Sequence, residues 1–124
     1  MSGARMQERR SAPRIDHRIP LAVKGRTQAF VVQTKNLSAS GAYCAFSHFV
    51  APMTKLQVRL QLEVEGQARA IECQGVVVRV KPPAFRRRIS AYDVAIFFSD
   101  LSDEDRATVA RYVLRHLQLA ASRA

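Results

Sequence analysis

The chain has 124 residues, of which 48% are hydrophobic and 24% charged, and it carries a formal net charge of +10. That length suits one domain with a single core, and the composition excludes disordered and fibrous classes. With no apolar run of about 18 residues and a polar N-terminus lacking a signal-like apolar segment, a soluble, cytoplasmic protein is expected. The excess charge rests on 16 Arg against 4 Lys. Arg bias favours phosphate or base recognition over mere solubility, although the sign alone suits nucleic acid and anionic membrane equally.

Residues 1–14 are polar, Arg-rich and punctuated by Pro13, without helical or strand period, and read as a flexible arm. Ile19, Leu21 and Val23 share one face of a first strand over 15–23, which Pro20 would place at a sheet edge. A second strand, Thr27 to Lys35, runs into a turn over Asn36 to Gly41, and a third covers Ala42 to Phe46. Leu56, Val58, Leu60, Leu62 and Val64 alternate with polar residues, the pattern of a half-buried strand. Gly66-Gln67 connects it to a long strand from Ala68 to Val80, with Gly75 at a bulge or bend and Val76 to Val78 buried on both faces. The loop from Lys81 to Arg88 holds Pro82-Pro83 and the run Arg86, Arg87, Arg88. That run reads as a solvated tip, or alternatively as a contact for a partner or an anionic surface.

Tyr92, Val94, Ile96 and Phe98 form a sixth strand. Ser102 then precedes Asp103, Glu104 and Asp105, a side-chain cap with acids in the first helical turn. Val109, Tyr112, Val113 and Leu117 follow at helical spacing. The pattern predicts a mainly β fold, a small antiparallel barrel or sandwich with one C-terminal helix packed on an opening.

Chemistry is unevenly distributed. Cys44 and Cys73 lie apart in apolar stretches and read as buried free thiols. His17, His48 and His116 are scattered without metal-ligand spacing, and no nucleophile stands in a recognisable motif beside a base, so neither a metal site nor an enzyme is expected. Two motifs stand out. Arg9-Arg10-Ser11-Ala12-Pro13-Arg14 concentrates guanidiniums suited to phosphate and flat rings. Asn36-Leu37-Ser38-Ala39-Ser40-Gly41 offers hydrogen-bonding groups at a turn, with a glycine that permits positive φ or close approach.

As Arg10-x-x-x-Arg14 and Asn36-x-Ser38-x-x-Gly41, these motifs resemble the RxxxR and [D/N]xSxxG signatures of the PilZ domain, a bacterial receptor module for cyclic di-GMP. The likeness extends from about Arg9 to Leu117 and includes Gly75 to Arg79 and the Tyr92 to Phe98 strand leading into Leu101-Ser102. It implies a six-stranded antiparallel split barrel with one C-terminal helix, a domain over 9–118, an arm over 1–8 and a tail over 119–124. By the same resemblance, Arg10 and Arg14 grip phosphate and guanine, Asn36 and Ser38 meet a guanine edge, and Gly41 leaves room for the ligand. Arg9 implies an intercalated dimer of the nucleotide, and Arg79 is a further candidate contact. The implied protein needs no cofactor, relays its signal to an unidentified protein effector by ordering its arm, and is a monomer or weak dimer. DNA, RNA and membrane insertion are not expected. The alternatives are a ligand-independent interaction module of the same fold and a basic barrel binding RNA or single-stranded DNA.

Overall fold

The computed structural model describes residues 13–123. Alternation of apolar and polar side chains builds seven strands: β1 (Arg14–Ile15), β2 (Pro20–Lys24), β3 (Ala29–Ser38), β4 (Gly41–Phe46), β5 (Lys55–Val64), β6 (Gln67–Lys81) and β7 (Tyr92–Phe98). One helix, α1 (Asp103–Arg123), follows them. Six strands form an antiparallel ring in the order β3, β2, β5, β6, β7, β4, closed by pairing of β3 with β4, and β1 adds two residues to the far end of β3. The mainly β class and the six-stranded barrel with its C-terminal helix are therefore as expected. Closure leaves no long unpaired edge among these strands.

The N-terminal strand differs from its sequence reading. Instead of one strand over 15–23 there are two, β1 and β2, because Thr34 holds the intervening segment. Its Oγ1 accepts from the Ile19 N–H at 2.9 Å and donates to the His17 carbonyl at 2.5 Å. Nor is β2 an edge. It lies between β3 and β5, and Pro20 is tolerated as its first residue, paired with Gln33 but with no β5 partner.

Two bulges interrupt the alternation. On β3 the register shifts between Thr34 and Asn36, so inward positions pass from Val32 and Thr34 to Leu37. On β6 it shifts between Val77 and Arg79, so inward positions pass from Val77 to Val80. Val76 to Val78 are consequently not buried on both faces: Val77 is buried, whereas the bulged Val78 is 54% exposed. Gly75 is not the bulge. It points inward, where an added Cβ would lie 2.6 Å from an Ile96 methyl and 2.9 Å from a Val58 methyl.

The β5–β6 hairpin turns at Glu65-Gly66, one residue before the expected Gly66-Gln67, and both turn residues have positive φ (53° and 78°), as a type I′ turn requires. The Ser102 hydroxyl caps α1 by accepting from the Asp105 N–H at 3.1 Å. Thr108, Val109, Tyr112 and Val113 are the buried helical face that covers the barrel opening. Leu117 is not part of it, being 37% exposed. Residues 119–123, expected as a tail, continue the helix. Helix and β1–β2 segment meet at a small ring cluster: the His116 ring lies tilted against its neighbours, its centroid 4.2 Å from that of Tyr112 and 4.8 Å from that of His17. The histidines are thus not all scattered.

Candidate functional site

The β3 bulge decides which way the second motif points. With Thr34 inward, uninterrupted alternation would send Asn36 into the core. The extra residue, Lys35, reverses the phase, so Asn36 is half-buried on the outer face while Leu37 is fully buried. Lys35 itself forms an ion pair with Asp93 on β7 at 2.5 Å. The motif is therefore strand more than turn. Asn36 and Ser38 are β3 residues, and the connection to β4 is the two-residue loop Ala39-Ser40, with Ser38 paired to Gly41.

Ser38 is 3% exposed and committed to that hairpin. Its Oγ accepts from the Ser40 N–H at 3.2 Å and lies 2.9 Å from Ser40 Oγ. The loop is tied on both sides. The Ser40 carbonyl accepts from the Phe98 N–H at 3.0 Å, and the Ala39 carbonyl accepts from Arg106 Nη1 on α1 at 3.4 Å. Gly41 has no positive φ. An added Cβ would lie 2.1 Å from the Ile96 carbonyl oxygen, so its hydrogen side chain is required by the close approach of β7.

Arg14 reaches this hairpin through β1, where it is the cross-strand partner of Ser38. Its side chain is solvent-exposed and has no ion-pair partner among the described residues. Arg9 and Arg10 lie outside the described residues. A cavity of about 330 Å³ opens beside these groups on the outer face of β3, β4, β7 and β6. Arg14, Asn36, Ser38, Ser40 and Gly41 form its polar side. Tyr43, Val78, Ala95 and Phe97 form an apolar side, with Val78 54% and Phe97 47% exposed. Arg79, paired with Ala95, is exposed and is not part of the lining.

Sequence reading missed Ser40, Tyr43, Val78, Ala95 and Phe97. Counting by twos from Gly41 along β4, and from Phe97 along β7, would have found Tyr43 and Ala95. Val78 carried no such signal, since only the bulge exposes it. Among the described residues no cluster of His, Cys, Asp and Glu could hold a metal ion. Both cysteines are free and buried. Burial pushes the Cys44 thiol up to about 12 and, with help from the Asp100 and Asp105 carboxylates, the Cys73 thiol to about 11.

The profile of the PilZ domain matches residues 8–115. The chain belongs to the PilZ domain family. No curated protein matches its sequence. Among solved structures, the inhibitor of motility MotI/DgrA of Bacillus subtilis is similar with a TM-score of 0.72 and 18% identity, over 87% of this chain and 51% of that one. The K. pneumoniae MrkH–c-di-GMP complex is similar with a TM-score of 0.62 and 20% identity, over 91% and 54%. The PilZ domain of CeSA from a cellulose-synthesizing bacterium is similar with a TM-score of 0.51 and 18% identity, over 84% and 97%. At these identities the likeness is one of fold. This PilZ chain spans about half the length of the MotI and MrkH chains. Its described residues contain no helix long and apolar enough to cross a membrane.

Proposed function

We propose that this PilZ chain is a receptor for cyclic di-GMP with a regulatory role and no catalytic one. The observation that carries the reading is the pairing of Arg14 with Ser38. The two motifs, separated in sequence by β2, meet as cross-strand partners at one cavity. Cyclic di-GMP carries two phosphodiesters and two guanines. Arg14 on β1, with Arg9 and Arg10 shortly before it in sequence, supplies charge-assisted donors for phosphate. Asn36 and Ser40 supply polar groups for a guanine edge, and Tyr43, Val78, Ala95 and Phe97 offer an apolar face for a flat ring.

The hairpin, with Arg14 paired to it on β1, is the fixed half of this site, and the arm that carries Arg9 and Arg10 is the latch. Ordering an arm costs about 1–2 kcal/mol per residue, so the arm settles when its guanidiniums find phosphate. The signal is the surface so formed, presented to a protein effector. The bond from Arg106 to the Ala39 carbonyl also connects the site's loop to α1. Arg9 supports binding of a stacked nucleotide dimer, whose doubled phosphate charge a third guanidinium would offset.

Calorimetry with purified protein and cyclic di-GMP tests the reading. Two nucleotides per chain are expected, with affinity falling about tenfold or more on Arg10→Ala or Arg14→Ala. Absence of binding at micromolar ligand, or binding untouched by both substitutions, overturns it. Arg9→Ala is expected to lower the stoichiometry to one, and a wild type that already binds one nucleotide refutes the dimer.

A further inference from the structure

Among the described residues, none of the β6–β7 loop lines the cavity beside Arg14 and Ser38. It exposes Pro83, Ala84 and Phe85, the last 68% exposed, and immediately after them Arg86, Arg87 and Arg88, all exposed. No acidic residue occurs from Lys81 to Ala91, and none of these arginines has an ion-pair partner among the described residues. A large apolar ring held in water beside three unneutralised cations is an unusual use of surface.

The loop is also built. Tyr92, 1% exposed, sends its hydroxyl out of the core to accept from the Arg86 N–H at 3.1 Å and donate to the Arg86 carbonyl at 3.2 Å. That carbonyl also accepts from the Ile89 N–H at 3.1 Å. The backbone at the junction of apolar and cationic halves is thereby fixed, so presenting Phe85 and the arginines together costs little further ordering.

We infer that this loop docks the protein on an anionic phospholipid surface, with Phe85 entering the headgroup boundary and Arg86, Arg87 and Arg88 engaging lipid phosphates. The two halves are contiguous, as an interfacial wedge requires, and guanidiniums pair with phosphate while their stems cover apolar surface. A nucleic-acid strand would instead call for several rings along one groove. Here Phe85 is the loop's lone aromatic side chain. Each basic residue held near an anionic bilayer raises partitioning about fivefold, so three give about a hundredfold, and the inserted ring adds about tenfold. The net charge of +10 repels nothing on such a surface.

Co-sedimentation of the full chain with vesicles, in the absence of nucleotide, tests this independently of the nucleotide reading. Vesicles of phosphatidylcholine alone are compared with vesicles containing about 30% phosphatidylglycerol, at about 0.1 M and 1 M salt. Binding is expected on the anionic vesicles at low salt and loss of it at high salt. Phe85→Ala should lower partitioning about tenfold. The triple Arg86→Gln, Arg87→Gln, Arg88→Gln variant should lower it about a hundredfold. A charge-matched triple, Arg69→Gln, Arg111→Gln and Arg115→Gln, separates the loop from bulk charge and should lower it by less than about tenfold. All changed side chains are exposed, and unchanged thermal midpoints check folding. Equal binding to neutral and anionic vesicles, or equal losses in the two triple variants, overturns the proposal. So does a mixed-sequence oligonucleotide that binds through Arg86 to Arg88 while vesicles do not.

Discussion

Gly41→Ala separates two explanations of the glycine in Asn36-x-Ser38-x-x-Gly41. The resemblance implies a residue that leaves room for the ligand, whereas the barrel shows one that leaves room for β7. An alanine Cβ would lie 2.1 Å from the Ile96 carbonyl oxygen and 3.3 Å from Phe97 Cα, and real Cβ atoms do not approach within 3.0 Å. Both contacts are backbone, so β4 and β7 must part by about 1 Å. A 1 Å separation stretches the 3.0 Å bond from the Phe98 N–H to the Ser40 carbonyl beyond hydrogen-bonding range. One buried bond left unmade costs about 1–3 kcal/mol and the overpacking about as much again, so a loss of about 3 kcal/mol is expected. For a domain of this size that lowers Tm by roughly 12 °C. Thermal unfolding followed by circular dichroism, without nucleotide, measures it. A midpoint within about 2 °C of wild type, coupled to lost ligand binding, would refute the packing argument and restore the ligand as the reason for the glycine.

Ala95→Leu fills the apolar side of the cavity from a half-buried, outward position, and should weaken cyclic di-GMP binding more than about tenfold while leaving Tm unchanged. Calorimetry and melting on the same sample check both halves. His17 is held below its ordinary pKa of 6.5 by burial and by the neighbouring His116. The unfolded imidazole therefore binds protons more readily than the folded one, and stability is fully present above pH 6.5 and falls as pH drops below it. Melting curves from about pH 7.5 to 5 should show this slope, and His17→Phe should flatten it. Because burial holds Cys44 and Cys73 protonated, native protein should resist alkylation at about pH 8 and react at both thiols after denaturation. Modification of the native protein at the rate of a free thiol would contradict the packing around them.

What the amino-acid order determined by itself is what depends on nearest neighbours along the chain. Side-chain period two marked β5 and β7 residue by residue, and Ser102 with three following acids marked the start of α1. The two motifs likewise named Arg14, Asn36, Ser38 and Gly41, all of which line one cavity. What only the tertiary structure decided is which way those residues point and what they touch, because register is a property of strand pairs. The Lys35 bulge exists where β3 meets β4, and it turns Asn36 outward against the local alternation. The Val78 bulge exists where β6 meets β7, and it exposes a valine inside an apolar run that reads as core. Likewise the need for Gly41 comes from the Ile96 carbonyl, far along the chain, and His17 meets His116 only because α1 folds back over the barrel opening.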